Sequence, residues 1–208
     1  MGLFLSMSGV IGGDADAVVT ALSAYAVGHG GSMAAAKLTT DDGDCLVVSE
    51  GIGGVSVLYP REFMDWDDAA ACLSRELGKP VFSFHIHDGD LWMYILYESG
   101  EVVDQFNPIP DYWAELSDEE RQSWQGNAAE VAKRVPGLSP DRIAPYLVQW
   151  SDDLLETEEL PKAFPEDEFH VGEDWQLVDF MRKLDLDYPV DDSGEPHGDT
   201  YRFECESE

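Results

Sequence analysis

Two histidines near the middle of the chain are the residues best spaced for chemistry. His85 and His87 lie in a run with strand character and are followed at once by Asp88 and Asp90. Side chains two residues apart in an extended strand point to the same side, about 7 Å apart. Both imidazoles could therefore bind one divalent metal, with Asp88 or Asp90 as an oxygen ligand.

The same segment can be understood without a metal. Phe82, Phe84 and Ile86 alternate with the two histidines, so they predict the buried face of a strand, with the histidines on the other face before an Asp-Gly turn. No third ligand follows at a spacing typical of metal sites. We predict no cofactor, and keep the two histidines and Asp88 as candidate ligands for the alternative function, a metal-dependent enzyme.

The other candidate residues are acids and aromatic rings in the second half of the chain. Large rings next to carboxylates are the mixture expected of a surface that receives a basic protein. The alternative is that the tryptophans anchor helices to the core and the carboxylates are solvated. The candidate protein-binding residues are Asp111, Trp113, Glu115, Trp124, Trp150, Asp152 and Asp153.

Known catalytic motifs are missing from the sequence. The glycine-rich segments 28–31 and 51–54 have the spacing of neither a dinucleotide-binding loop nor a phosphate-binding loop. Ser56 does not lie in a G-x-S-x-G turn, so a hydrolase triad has no support. We assign no catalytic residue and favour a binding protein over an enzyme.

The charge limits the partners. Among 208 residues, 43 are Asp or Glu and 12 are Lys or Arg, so the formal net charge is −31. Nucleic acid and anionic membranes are polyanions that proteins hold with basic residues, so we expect neither as a partner, but a basic protein fits. The three cysteines form no disulfide framework. We expect neither a signal peptide nor a membrane span, and therefore a cytoplasmic protein of undetermined oligomeric state.

The pattern of elements predicts an α+β fold. Residues 3–11 resemble a strand, residues 14–28 a helix, and the runs 45–49 and 55–59 a hairpin. A helix opening at Asp65 is followed by three strand-like runs joined by Asp-Gly and Ser-Gly, which favour tight turns. We expect a mostly antiparallel sheet covered by two helices, in a ferredoxin-like or related arrangement.

The character of the chain changes after residue 110. Capping residues predict helices over 118–124, 128–135, 140–150 and 173–184, and the stretch 193–208 is polar. We therefore divide the chain into an α+β sheet core over 1–110 and an acidic helical extension over 111–208, packed on that core. Residues 193–208 are expected to be a polar tail.

The size, the acidity and the α+β pattern of the chain are together typical of one general class of protein. The chain resembles small acidic bacterial immunity proteins, which block nuclease toxins, and other acidic bacterial proteins of unknown function. The resemblance implies an inhibitor of a basic partner and transfers no functional residue. The same charge is also expected of a protein adapted to a salty cytoplasm, or of one that mimics nucleic acid.

Overall fold

One antiparallel sheet of eight strands runs through the protein, whose computed structural model describes residues 2–157 and 160–205. Together with six α-helices it gives an α+β architecture. The strands are β1 (Leu5–Ile11), β2 (Ser32–Ala35), β3 (Cys45–Glu50), β4 (Gly54–Leu58), β5 (Val81–His87), β6 (Leu91–Glu98), β7 (Glu101–Phe106) and β8 (Asp199–Glu204). The helices are α1 (Ala15–Gly28), α2 (Trp66–Leu77), α3 (Asp118–Ser123), α4 (Ala128–Ala132), α5 (Asp152–Leu155) and α6 (Gln176–Lys183).

The strand order across the sheet is β2-β8-β3-β4-β1-β5-β6-β7. The predicted hairpin β3–β4 and the meander β5–β6–β7 are both confirmed. Each meander turn has two consecutive residues with positive φ: Asp88 (54°) and Gly89 (74°), then Ser99 (56°) and Gly100 (84°). Positive φ at both central positions matches the right-handed twist of the flanking strands, which explains why these dipeptides close the hairpins.

Helices α1 and α2 contact each other and pack over one face of the sheet, called here the α1/α2 face. Val18 and Leu22 of α1 and Leu73 of α2 are buried in one cluster with Val57 and Val81 of the sheet. The left-handed Gly78, with φ 60°, ends α2. Asp65 precedes α2, but its side chain makes no capping hydrogen bond.

The opposite face of the sheet is covered by the second half of the chain. Phe180 of α6 is fully buried in one cluster with Phe84, Trp92 and Tyr94 of the sheet, and with Tyr146. Both faces of the central strands are therefore buried, and β5 is buried continuously from Val81 to Ile86 instead of alternating with solvent. No helix among the described residues is long and apolar enough to span a bilayer.

The prediction of a polar tail over 193–208 is wrong for residues 199–204. These residues form β8, which pairs with β2 on one side and β3 on the other. Phe203 is 3% exposed and joins the α1/α2 cluster, which is the physical reason that the segment is ordered. Residues 206–208 lie outside the described part of the chain.

The helices of the second half are shorter than predicted. Helix α4 ends at Ala132, and α6 begins at Gln176. Two 3-10 turns, Pro140–Arg142 and Ala144–Tyr146, replace the helix expected over 140–150. Pro145 accounts for the break, because a proline inside a helix removes a backbone donor and clashes with the preceding turn.

Candidate functional site

The two histidines lie on the α1/α2 face of β5, near the end of the strand. His85 is 4% exposed, because the indole of Trp66, the first residue of α2, stacks on its imidazole with ring centroids 4.4 Å apart and planes 7° apart. His87 is partly exposed, and its ring centroid lies 5.6 Å from that of His85. The face that the sequence assigns away from Phe82 and Phe84 is thus also covered, with only His87 near solvent.

A line of polar contacts joins the histidines to neighbouring elements. Ser6 Oγ lies 2.9 Å from His85 Nδ1, His85 Nε2 lies 3.4 Å from His87 Nδ1, and His87 Nε2 lies 3.4 Å from Trp113 Nε1. An indole nitrogen only donates, so His87 Nε2 accepts, and His87 carries its proton on Nδ1. His85 Nε2 then accepts in turn, which makes His85 Nδ1 the donor to Ser6 Oγ and leaves the His85 imidazole neutral.

The neutral state of His85 also follows from its environment. Burial, with a smaller effect of His87, lowers the pKa of His85 from 6.5 to about 4, against a hydrogen bond with the Leu5 backbone that raises it. Burial removes water from the charged imidazolium, so the uncharged ring is favoured.

The pKa of His85 predicts a pH dependence of stability. Because the pKa of 6.5 falls to about 4 on folding, His85 destabilises the folded state progressively as the pH drops through that range. We expect wild type to lose about 2 kcal/mol more unfolding free energy between pH 7 and pH 5 than His85→Gln. Urea denaturation of both proteins measures the difference, and equal losses would contradict the assignment.

The metal hypothesis gains no third ligand from the fold. Among residues 2–157 and 160–205, no three histidine, cysteine or acidic side chains converge in a way that could hold a metal ion. His85 also has both ring nitrogens in the polar line described above. Asp88, the remaining candidate ligand, occupies an exposed position in the tight turn after β5.

Three rings pack around His87, and together the four form a surface patch, called here the aromatic patch: Phe4, His87, Tyr112 and Trp113. The imidazole centroid lies 4.9 Å from Phe4, 5.5 Å from Tyr112 and 4.9 Å from Trp113, each in an edge-to-face arrangement. Edge-to-face packing is the favoured geometry of such rings. Trp113 is nevertheless 53% exposed and Phe4 is 43% exposed, so a large apolar area faces solvent.

The loop that carries Trp113 is fixed by ionic contacts. Arg121 donates from Nε to Asp111 at 2.7 Å and from Nη1 to Asp118 at 3.0 Å, and the Leu116 N–H donates to Asp111 at 2.8 Å. The hydrogen bonds with Arg121 lower the pKa of Asp111. Tyr112 anchors the same loop to the meander turn, because its hydroxyl donates to Asp90 at 2.5 Å. These contacts tie the loop that carries Tyr112 and Trp113 to α3 and to the turn after β5.

The predicted protein-binding residues differ in how far they are exposed to solvent. Asp111, Trp113 and Glu115 are all exposed, and Asp111 is also paired with Arg121. Trp124 is half-buried at the end of α3.

Trp150 is 7% exposed and belongs to the cluster on the opposite face, so it is a core residue and not a contact for a partner. Its backbone N–H donates to the Pro108 carbonyl at 2.8 Å. Asp153 is exposed on α5, and the side chain of Asp152 lies outside the described part.

Phe4 is a member of the aromatic patch that the sequence does not single out. A signal for it exists, because Leu3, Phe4 and Leu5 are consecutive apolar residues, whereas a strand buried on one face alternates. The sequence indicates His87 for metal binding and Trp113 for protein binding, and the fold brings the two together.

The chain was compared with models of protein families, with curated proteins and with solved structures, and none of the three comparisons finds a match. Family membership therefore contributes nothing to the assignment of function.

Proposed function

We propose that this protein is a binding module for a basic protein partner, which docks on the aromatic patch. The observation that carries the proposal is the exposure of Trp113, 53%, in a loop that ion pairs hold in place. Exposed tryptophan and tyrosine rings supply large contact areas with little loss of side-chain freedom, and they are enriched among residues that dominate binding energy.

Acidic side chains flank the aromatic patch in sequence and suit the edge of such an interface. Asp88 and Asp90 follow His87, and Glu115 follows Trp113 by two residues; all three are exposed. Carboxylates at the rim of an interface attract a basic partner and speed encounter, while the rings at its centre contribute most of the affinity. The net charge of −31 extends this attraction beyond the immediate contact.

We interpret the partner as a basic enzyme, such as a nuclease toxin. The module would then inhibit it in the manner of an immunity protein. The charge and the resemblance of type support it. We place the protein in the cytoplasm, which the free thiols of Cys45 and Cys72 favour.

We interpret the central part of the fold as a ferredoxin-like unit with a C-terminal extension. The adjacent strands β3, β4, β1 and β5, with α1 and α2 inserted in β-α-β-β-α-β sequence order, support this interpretation.

The first test is capture of partners at about 150 mM salt, followed by release with rising salt. A single stoichiometric basic protein that elutes with salt is the expected result. Trp113→Ala should raise the dissociation constant of the purified complex about 30-fold, because a central tryptophan contributes about 2 kcal/mol to the binding free energy. Calorimetric titration of the purified partner measures the change.

Ile52→Ala is the matched control for this experiment. Ile52 is 98% exposed in the turn between β3 and β4, so its removal tests loss of an exposed apolar side chain elsewhere. We expect wild-type affinity for this variant. Equal affinity of the Trp113 variant and wild type would contradict the proposed surface, and a partner that is retained at high salt would contradict its electrostatic character.

A further inference from the structure

A cleft lies between α6 and the chain that follows it, and it shares no residue with the aromatic patch. Its volume is about 620 Å³. Phe169 and Trp175 line it from the chain before α6 and at the helix start, and Tyr188 and Val190 line it from the chain after α6. The cleft is large enough for a small organic molecule.

Three aromatic rings form the wall of this cleft. The ring centroids of Trp175 and Tyr188 are 5.6 Å apart with planes at 89°, and those of Phe169 and Trp175 are 6.4 Å apart with planes at 30°. Two perpendicular rings make a corner, and all three are only partly buried. The negative potential of an aromatic face attracts a cation that lies within about 6 Å of the ring.

The charged groups at the mouth of the cleft are mainly acidic. Asp187, Asp191 and Asp192 are exposed there. Hydrogen bonds from Ser193 and from the Glu195 N–H lower the pKa of Asp191, which keeps its carboxylate charged.

The cleft also contains one arginine, whose charge is already matched. Arg182 donates from Nη1 to Asp179 at 2.8 Å and from Nη2 to Glu168 at 3.2 Å. An anionic ligand would therefore have to compete with these two carboxylates and face the three aspartates at the mouth. His197 also lines the cleft, and it is exposed.

We propose that this cleft binds a small organic cation of the alkylated-ammonium class, with Phe169, Trp175 and Tyr188 against its methyl groups and Asp191 and Asp192 against its charge. Aromatic walls with nearby carboxylates are suited to such a cation, because its charge is diffuse and its surface apolar. A metal ion, in contrast, needs converging oxygen or nitrogen ligands, and the described residues provide no such group.

The probe for this site is choline, and the neutral isostere 3,3-dimethylbutan-1-ol is its control. The two molecules have the same shape and differ by one charge at the quaternary centre. We expect choline to bind about tenfold more tightly than the isostere, the effect of a cation–π contact of about 1.4 kcal/mol. Calorimetric titration measures both. Equal affinities, or no detectable choline binding at millimolar concentration, would overturn the proposal.

Three substitutions test whether choline binds in this cleft. Trp175→Leu keeps an apolar side chain but removes the aromatic face, and we expect about a tenfold loss of choline affinity. Trp113→Ala removes an exposed tryptophan from the aromatic patch and should leave choline binding unchanged. If the Trp175 variant does not fold, Asp192→Asn at the exposed mouth should weaken choline by about threefold at low salt. If the folded variant, Trp175→Leu or Asp192→Asn, bound choline as tightly as wild type does, the assignment of choline binding to this cleft would be overturned.

Discussion

We expect Phe180→Ala to lower the free energy of unfolding by about 4 kcal/mol, a larger effect than that of any other substitution proposed for this protein. Phe180 is fully buried where α6 meets the sheet. Its ring lies 5.2 Å from Trp92, 5.4 Å from Tyr94 and 5.7 Å from Tyr146, and the Tyr94 ring is parallel to it within 8°. Truncation leaves a cavity among rigid rings that cannot move together to fill it.

Urea denaturation at pH 7 measures this decrease in the free energy of unfolding. Two control variants test whether it comes from the lost volume of a buried ring. Phe180→Leu keeps most of the volume, so its cost should be less than half that of alanine. Phe4→Ala removes the same atoms from a side chain that is 43% exposed, and should cost about 1 kcal/mol or less. If Phe180→Ala and Phe4→Ala had similar costs, Phe180 would not be the centre of the core on that face of the sheet.

Phe203→Ala in β8 should cost about 3 kcal/mol, the second largest effect that we expect. Phe203 is 3% exposed, and its ring lies 5.2 Å from Phe63 and 6.4 Å from Tyr59. The substitution removes the buried anchor that holds β8 in place between β2 and β3. Thermal and urea unfolding should both report the loss.

Arg202→Ala is the matched control in the same strand. The Arg202 side chain is 54% exposed and pairs with Asp44 at 2.6 Å. An exposed ion pair of this kind contributes less than about 1 kcal/mol, so the variant should be nearly as stable as wild type. Similar stability of the Phe203 variant and wild type would contradict the placement of β8 in the sheet.

The contrast between β6 and β8 explains how much of the fold the sequence predicts. Residues 91–98 are rich in apolar and aromatic side chains and end in a Ser-Gly turn, so local pattern identifies both the strand and its partner. Residues 199–204 contain one buried side chain, Phe203, among polar or partly exposed neighbours. Their strand conformation comes from pairing with residues more than 150 positions earlier, which no local pattern records.

The candidate site shows the same limit. The spacing of His85 and His87 correctly places them on one side of a strand, and the turn after them is confirmed. Their surroundings depend on tertiary packing. Trp66 of α2 stacks on His85, and Trp113 of the loop before α3 contacts His87. Trp150 and Trp113 look alike in sequence, each next to acidic residues, but one is 7% exposed and the other 53%. Neighbouring residues alone do not determine which face of a protein a tryptophan occupies.

The position of β8 has a consequence for biosynthesis. Strands β3, β4, β1 and β5 are contiguous in the sheet and lie within residues 5–87, so they can pair while the ribosome is still translating the second half. Strand β2 pairs only with β8 among the described strands, so it has no native partner until residues 199–204 emerge. The nascent chain must therefore hold an unpaired segment and an open edge of β3 through most of its synthesis, a period during which the strong negative charge protects it against aggregation.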